Sequence, residues 1–534
     1  MANKTLFQTL MGRLVPPADT RNDAGGAAYT RDPREALAQL VMTGTLNNTF
    51  YATAEAQFAQ LAELAARVDA DYLARLAVFA RRHGRMKDTP ALLVALLAVR
   101  DTERFLQTAP RVIDNLKMLR NLVQILRSGA AGRKSLGSAP KRFVQRWLEG
   151  RAAAELFLAD VGASPSLADL IRMAHPRPAD AARSAFYAYT LGEPHDAALL
   201  PEITRAFEAF KADPAGVAPD VPFQLLTALP LTTAHWSAIA LRSGWTTTRM
   251  NLNTFARHGV FDPLRNPDAD RATREVAARL ADPALVRKAG AYPFQLLAAV
   301  RAAGDAVPPV IVDALRAAME AAVANVPALG MDVVVAPDVS GSMHSPVTGV
   351  RKGATTAVRC IDAAALITAA VLRRNPRTLV VPFSDRADVL ALDAEAGILA
   401  NAETLAALPS GGTDCATPVA LLNRQGRRAD LVVLVSDNES WAGFQNARAG
   451  TGLAREWSAF KARNPRARLV CLDLQPNPAV QARTQPDVMN IGGFSDAVFD
   501  LVELFARGEL GGDAWVQAIE SVPLDARRPA TAGV

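Results

Sequence analysis

An acidic residue and two hydroxyl residues alternate at Asp338, Ser340 and Ser342, directly after the apolar run VVVAP. Two more oxygen-bearing side chains follow, Thr413 in the segment GGTD and Asp437 at the end of the apolar run LVVLVS. Carboxylate and hydroxyl oxygens are hard ligands that suit Mg²⁺ or Mn²⁺, and Mg²⁺ keeps several waters, so a few protein ligands suffice. No soft ligand is offered, which argues against zinc or copper. We therefore predict a divalent-cation site, with Mg²⁺ the expected ion and Mn²⁺ the alternative, at Asp338, Ser340, Ser342, Thr413 and Asp437.

A helix-capping role is the alternative for the first three residues, because Asp and Ser are common N-caps. DVSGS alone leaves that alternative open. The later Gly-Gly-Thr segment and the later strand-end acid, in this order, favour the metal site.

Catalysis is not favoured by the patterns in the chain. The nucleophile elbow GxSxG is absent, and His344 is too close to Ser342 in sequence to serve naturally as its base. Neither a P-loop nor a dinucleotide-binding Gly pattern occurs, and no apolar strand-like run ends in a phosphatase-like Asp-x-Asp. We therefore predict a binding site and no enzyme.

The elements that carry this site form an α/β region, predicted over residues 328–510. Near-continuous apolar runs (DVVVAPD, TLVVPFS, LVVLVSD and RLVCLDL) alternate with helical segments such as ATTAVRCIDAAALITAAVLRR. This alternation predicts a doubly wound parallel sheet covered by helices on both faces. Ligands bind at the carboxyl ends of the strands in such sheets, where Asp338 and Asp437 both lie. We expect a short tail over residues 511–534.

The region from 1 to 327 has a different pattern. Its first 30 residues look irregular, with Pro16-Pro17 and then NDAGG. Helical apolar stripes follow in series, such as the one that starts at Val112 and continues through Leu116 and Leu119. Many short helices separated by Gly, Pro or Asp predict stacked helix pairs, an α-solenoid. An ordinary helical bundle is the alternative.

Length and composition set wider limits. The chain has 534 residues, more than one core usually holds, with 50% hydrophobic and 21% charged residues, as in globular proteins. Its apolar runs are too short to span a membrane. The N-terminal residues lack a signal-peptide pattern, so we expect a cytoplasmic protein without a membrane partner. The spacing of Cys360, Cys415 and Cys471 supports neither a disulfide framework nor a cysteine zinc site.

Basic residues cluster in the helical region, although the net charge is only +6. Most lie between residues 112 and 151, on one helix face, in a Gly-rich loop and on the next helix. Smaller groups lie in RRHGRMKD and in LIRMAHPRP. A solvated cationic face is the ordinary outcome, but the agreement of three neighbouring elements favours phosphate binding. The predicted RNA contacts are Arg85, Lys87, Lys117, Arg120, Arg127, Arg133, Lys134, Lys141, Arg142, Arg146, Arg172 and His175.

The acid-and-hydroxyl set resembles the metal-ion-dependent adhesion site of von Willebrand factor A domains. The resemblance implies that Ser340, Ser342 and Thr413 bind the ion directly and that Asp338 and Asp437 act directly or through water. It also implies an open coordination position for a carboxylate-bearing protein ligand.

Further segments resemble the Ro autoantigen family, whose helical part is the TROVE module. The matching segments, in family order, are NDAGG, TGTLNNTFYA, GRMKDTPALLVAL, KRFVQRWLEG, LADLIRMAHPRP, RMNLNTFARHGVF, YPFQLLAAV, GGTDCATP and VSDNESWAGF. The resemblance covers nearly the whole chain. One departure is NNTFY at residues 47–51, where the family has a Gly-Gly-Thr-Tyr-Tyr-like element.

The Ro resemblance implies HEAT-like helical repeats closed into a ring by the A domain, in a monomeric bacterial relative of the autoantigen. Single-stranded 3′ ends of misfolded RNA would enter the hole, and structured Y-like small RNA would bind the basic outer surface. The Y-like RNA would bridge to polynucleotide phosphorylase for RNA quality control and degradation. The competing hypothesis from the residues is a metal-dependent protein-adhesion scaffold without RNA function.

Overall fold

The computed structural model of the chain describes residues 9–10, 13–44, 46–49, 52–162, 164–291, 293–323, 326–347, 349, 358–443, 450–475, 477, 479–493 and 496–524. The strands are β1 (Thr9–Leu10), β2 (Arg13–Leu14), β3 (Thr20–Arg21), β4 (Ala27–Thr30), β5 (Val333–Pro337), β6 (Leu379–Val380), β7 (Leu431–Ser436), β8 (Arg468–Asp473), β9 (Ala479–Val480) and β10 (Val488–Gly492).

Helices make up most of the chain before β5. They are α1 (Pro33–Thr43), α2 (Ala54–Arg67), α3 (Ala70–Arg82), α4 (Asp88–Arg100), α5 (Thr102–Val112), α6 (Leu116–Ser128), α7 (Ser138–Glu149), α8 (Ala153–Ala159), α9 (Leu167–Ala174), α10 (Ala181–Leu191), α11 (Glu202–Ala212), α12 (Thr233–Arg242), α13 (Trp245–Met250), α14 (Leu252–Arg257), α15 (Ala269–Ala281), α16 (Pro283–Ala289), α17 (Pro293–Ala302) and α18 (Pro309–Ala322).

The helices that follow β5 cover the sheet and end the described chain. They are α19 (Cys360–Arg374), α20 (Ile398–Ala406), α21 (Thr417–Arg424), α22 (Gly452–Arg463), α23 (Asp496–Ala506) and α24 (Ala514–Glu520).

Helix α6 shows why the helical segments form where they do. The Asn115 side chain caps its first turn by accepting a hydrogen bond from the Met118 N–H, and Gly129 ends it at φ 89°, a left-handed backbone that glycine adopts freely. Leu119 and Val123, at helical spacing, are buried. Helices near in sequence pack in the same way along the series, as α3 packs on α4 and α5, α5 on α7, and α7 on α9. This serial packing is that of an α-solenoid.

The α/β domain is built on a fully parallel sheet of strand order β10-β8-β7-β5-β6. Successive residues of β5 enter different cores. Val333 and Val335 pack on the side of α19, whereas Val334 and Ala336 pack with Val419 and Phe460 of the helices on the other face. Burial on both faces explains the near-continuous apolar strands, and each fully buried Val contributes roughly 1.5–3 kcal/mol.

The α/β domain contacts both ends of the helical series, so the chain closes on itself. At the late end, α17 and α18 pack on α19 and α20, and the Arg301 guanidinium binds the buried Asp362 carboxylate at 2.7 and 3.0 Å. At the early end, α1 packs on β10, and β4 pairs with β9. The predicted solenoid joined to a doubly wound domain is therefore confirmed.

Three regions differ from the sequence-based expectation. The first 30 residues, expected to be irregular, contain β3 and β4, which form a sheet with β9. The parallel sheet of the α/β domain has a fifth strand, β10, that was not predicted. The segment expected to be a tail contains α24, which packs on α1 and α3 and includes the buried Trp515. Each of these short elements is stabilised by distant partners, which local periodicity does not report.

Candidate metal site and basic surface

The two predicted metal-site aspartates lie at the carboxyl ends of neighbouring strands. Strands β5 and β7 pair in parallel with Pro337 opposite Val435, so Asp338 and Asp437 follow at the same edge. From β5 the chain continues to β6 on one side and then to β7 on the other. This reversal is a topological switch point, where the crevice of an open α/β sheet lies. The fold thus places both carboxylates where such sheets bind ligands.

The loop after β5 turns its oxygens inward. The Ser340 N–H donates to Asp338 Oδ1 at 2.8 Å, and the Ser436 hydroxyl donates to Oδ2 at 2.6 Å. The hydroxyl oxygens of Ser340 and Ser342 lie 3.3 Å apart, and Ser342 also hydrogen-bonds Asp437. All these residues are buried. The alternating spacing therefore converges on one point, as predicted.

Thr413 lies in the adjoining loop. The Gly341 N–H donates to the Gly411 carbonyl at 3.1 Å, which joins this loop to the Asp338 loop. The Thr413 carbonyl accepts hydrogen bonds from the N–H groups of Trp441 and Ala442, each at 2.9 Å. The fold thus brings all five predicted metal-site residues, on three loops, to the edge formed by the carboxyl ends of β5 and β7, which we call the A-domain rim.

The electrostatics of this rim fit a divalent cation. Burial, followed by the charge of Asp437, raises the pKa of Asp338 to about 7, although hydrogen bonds from Ser340 and Ser436 favour its carboxylate. Burial also raises the pKa of Asp437. Within the described chain neither carboxylate forms an ion pair. Two buried carboxylates without a cationic side chain are costly unless a cation compensates them.

The donor set fits Mg²⁺ in particular. The predicted set at the rim has only two carboxylates and is not a cluster of charged or soft ligands; in the described ranges no three or more His, Cys, Asp or Glu side chains come together as metal ligands. An ion at the rim would be held by two carboxylates together with hydroxyl and water oxygens, the ligand type that Mg²⁺ accepts.

The N-terminal NDAGG turn supports the metal-site loop, a role that sequence reasoning did not predict. The Asn22 side-chain amide donates to the Ser440 carbonyl at 2.9 Å, and the Ala24 N–H donates to Glu439 Oε2 at 3.0 Å. A Cβ on Gly26 would lie 2.0 Å from the Ser440 carbonyl oxygen, so only glycine fits this close approach. Burial raises the pKa of Glu439 to about 8. No spacing rule links residues 22–26 with 438–440.

A buried ion pair fixes the start of α1 on the same rim. Arg31 binds Glu35 at 3.1 Å, Asn477 at 3.2 Å and also Asp473, the last residue of β8. Sequence reasoning did not predict this cluster either, because its members lie on segments far apart in the chain.

The predicted RNA contacts form one main surface, which we call the α6–α7–α9 surface. Lys141 Nζ lies 3.5 Å from His175 Nδ1, and the Arg127 guanidinium contacts the Met173 sulfur, so three helices contribute. Arg142 and Arg146 are exposed on the next face of α7. The exposed or half-exposed predicted cations of this surface and its neighbouring loop are Lys117, Arg127, Arg133, Lys134, Lys141, Arg142, Arg146, Arg172 and His175.

Two predicted cations lie apart, at the turn between α3 and α4. Arg85 and Lys87 are exposed, and the Arg85 guanidinium donates to the Ala289 carbonyl at 3.2 Å. Arg85 therefore also joins an early turn of the helical series to α16. Phe50 and Tyr51, part of the departure from the family pattern, lie outside the described residues.

Arg120 is a correction to the predicted RNA set. Its side chain is only 4% exposed, pairs with Asp160 and donates to the Val161 and Gly162 carbonyls at 3.2 and 2.8 Å. It holds the loop after α8 against α6 and does not face solvent. The helical spacing of Lys117, Arg120 and Arg127 suggested one stripe, but packing of α8 covers its middle.

The described residues include no helix with the length and apolarity to cross a bilayer.

The fold and the rim define a class: a helical-repeat protein joined to a von Willebrand factor A domain. Residues 332–506 match the family model described as the Ro60 vWA domain. The chain is 28% identical to the RNA-binding protein RO60 of Deinococcus radiodurans, over 92% of this chain and 96% of that protein. It is 25% identical to the RNA-binding protein RO60 of Caenorhabditis elegans over 45% of this chain and 38% of that protein.

A solved structure agrees in fold. The crystal structure of the Deinococcus radiodurans Ro (RSR) protein superposes with a TM-score of 0.62, covering 90% of this chain and all of that one at 24% identity. The resemblance to the Ro family is thus confirmed, and the match to the Ro60 vWA family model covers the A domain of this chain.

Proposed function

We propose that this protein is a non-catalytic, Ro-type RNA-binding protein. It holds Y-like small RNA on the α6–α7–α9 surface and takes single-stranded 3′ ends of misfolded RNA into the centre of the ring, for RNA quality control. The observation that carries the proposal is the shared surface of Arg127, Lys141 and Arg172 on three helices. The two relatives named as RNA-binding proteins support it.

The charge state of this surface supports phosphate binding. In the part of the chain that the structure describes, Arg127, Lys141, Arg142 and Arg146 form no ion pair, so their charge is available to phosphates. A surface that binds through phosphates releases counterions, and its affinity falls steeply with salt. A bridge through the RNA to polynucleotide phosphorylase is part of the proposal.

The experiment combines identification with affinity. RNA crosslinked to the protein in its own cells is sequenced, and the recovered RNA is titrated with purified protein at rising salt. The proposal expects one abundant structured RNA, fragments with free 3′ ends and a steep salt slope. Absence of RNA above background, or binding that salt does not weaken, contradicts it.

A second function belongs to the A domain, where we propose a Mg²⁺-dependent site for a carboxylate-bearing protein. Asp338, Ser340, Ser342, Thr413 and Asp437 would hold the ion, which supplies an open coordination position to the ligand carboxylate. The exposed indole of Trp441, beside Thr413, offers an apolar contact for the same ligand. Capture of a protein partner that survives EDTA, or that Asp338→Ala leaves unchanged, contradicts this function.

A further inference from the structure

A cavity of about 280 Å³ opens between α5 and α7. Leu106 and Pro110 of α5 form one side, and Phe143, Arg146, Trp147 and Arg151 form the other. The volume lies near the lower end of the roughly 300–1,000 Å³ typical of small-molecule sites, which suits a single flat ring system.

The polar wall of this cavity is flat and held in place. The Arg151 guanidinium lies 4.3 Å from the Trp147 ring centroid. The Trp147 N–H donates to the Ile113 carbonyl at 2.8 Å, while Arg151 binds Glu155 at 2.9 Å and the Asp114 carbonyl at 3.0 Å. Indole faces and guanidinium planes are the groups on which proteins stack unpaired bases. Both groups are therefore already oriented in the folded protein, with the Arg151 guanidinium over one face of the Trp147 indole.

The cavity adjoins the cations of α7. On a helix of about 3.6 residues per turn, Arg142 and Arg146 lie between the Lys141 side, which faces α9, and the Trp147 side, which faces the cavity. No acidic residue lines the cavity among the described residues. An RNA strand whose phosphates follow Arg142 and Arg146 therefore runs along the mouth of the cavity.

We infer that this cavity binds one unstacked nucleobase of a single-stranded or looped RNA held on the α6–α7–α9 surface. The inference rests on the proposed RNA-binding function and specifies the kind of RNA, since a base paired in a duplex cannot enter. Stacking on an aromatic side chain is tolerant of base identity, so the cavity selects unpaired RNA rather than one sequence.

The test isolates one base from the phosphates. A short abasic ribose-phosphate oligomer and the same oligomer with one central adenine are titrated with the full-length protein. The single adenine is expected to tighten binding about 5- to 100-fold, the gain typical of one base on an aromatic side chain. Equal affinity for the two oligomers overturns the inference.

Two variants locate the base. Trp147→Leu removes the indole. Gly150→Leu fills the cavity, which Gly150 also lines, without removing a cation; its φ of −75° suits a side chain, and its Cβ, 3.1 Å from the Arg146 carbonyl oxygen, requires a shift of a few tenths of an ångström. Both are expected to abolish the gain from the adenine and to leave the abasic affinity unchanged. Gly150→Leu keeps the Trp147 hydrogen bond, so it serves if Trp147→Leu fails to fold; a retained gain in it refutes the site.

Arg142→Ala separates the inference from the proposed function. It is expected to weaken both oligomers equally, whereas Arg274→Ala, an exposed arginine of α15, changes neither. Binding of neither oligomer by the unaltered protein contradicts RNA binding itself. Equal binding of both, with loss in Arg142→Ala, leaves RNA binding intact and removes only the base cavity.

Discussion

The α6–α7–α9 surface and the A-domain rim differ in the sign of their charged groups and in the burial of these groups. The surface presents exposed cations on helices, in contact with water. The rim buries the carboxylates of Asp338 and Asp437 side by side, where burial raises the pKa of both. As proposed binding sites they should therefore differ: loss of one cation should leave most of the RNA affinity, whereas loss of one oxygen ligand should remove the metal site.

The largest expected effect is at the rim. Asp338→Asn should abolish Mg²⁺ binding and leave RNA affinity unchanged, because the amide offers no charge to the ion and the basic surface is on other elements. The unaltered protein should gain about 2.7 kcal/mol in unfolding free energy at a Mg²⁺ concentration of about 100 Kd, and the variant none. Thermal unfolding with and without Mg²⁺ measures this.

The matched control is Asp430→Asn, at the opposite end of β7, where Asp430 accepts from the Asp332 N–H at 3.2 Å. This variant should keep the Mg²⁺ effect. Loss of RNA affinity in Asp338→Asn would show that the two regions are not separate.

The next effect is on the surface. Replacing Lys141, Arg142 and Arg146 together with Ala should weaken RNA binding about 10- to 100-fold and flatten its salt dependence. The slope of log affinity against log salt concentration should fall in magnitude by about 0.7 for each phosphate of a single-stranded RNA that the variant no longer neutralises. Stability should change little, because exposed charges contribute little to folding. Titrations at several salt concentrations measure both quantities, and unchanged affinity moves the RNA surface elsewhere.

A smaller effect distinguishes buried from exposed cations within α6. Arg120→Met should lower the unfolding free energy by about 2 kcal/mol, because it leaves Asp160 and two carbonyl groups without their donor. Lys117→Met, on the same helix but exposed, should change it by less than about 0.5 kcal/mol. Denaturant unfolding compares them, and equal stabilities would return Arg120 to the RNA set.

The last effect, of similar size at neutral pH and smaller in acid, is a pH dependence of stability at the junction of α17 and α19. Although burial raises the pKa of Asp362, hydrogen bonds from Arg301 and then Arg359 outweigh it and lower that pKa to about 2. A pKa lowered by folding adds stability that is complete above the ordinary value near 4 and is lost as pH falls towards 2. Arg301→Ala should therefore cost about 2 kcal/mol at neutral pH and progressively less below pH 4.

Arg316→Ala is the control for this junction, because its pair with Asp313 is exposed and local. It should cost less than about 0.5 kcal/mol at any pH. A cost of Arg301→Ala that stays constant down to pH 2 would show that the guanidinium acts through packing and not through the Asp362 charge.

The two regions also differ in how far sequence reasoning could predict them. The meeting of the oxygen-bearing residues at one rim could be predicted, because strand ends of a parallel sheet meet at one edge whatever the length between them; the metal itself stays a prediction. The RNA contacts stay a prediction, and the structure removes Arg120 from them, because helical periodicity shows which residues share a face but not which neighbour covers it. The Asn22–Ser440 and Arg31–Asp473 contacts, the packing of α24 and the cavity beside Trp147 each join segments with no shared local pattern.

The sequence by itself determined the helical series, four of the five parallel strands and the order of the oxygen-bearing residues of the predicted metal site, since local spacing and side-chain chemistry suffice for these. The tertiary structure decided how the chain closes, which cation is buried and what supports the metal-site loop. These depend on long-range packing, in which a residue's environment is set by side chains hundreds of positions away, as Asn22 and Ser440 show.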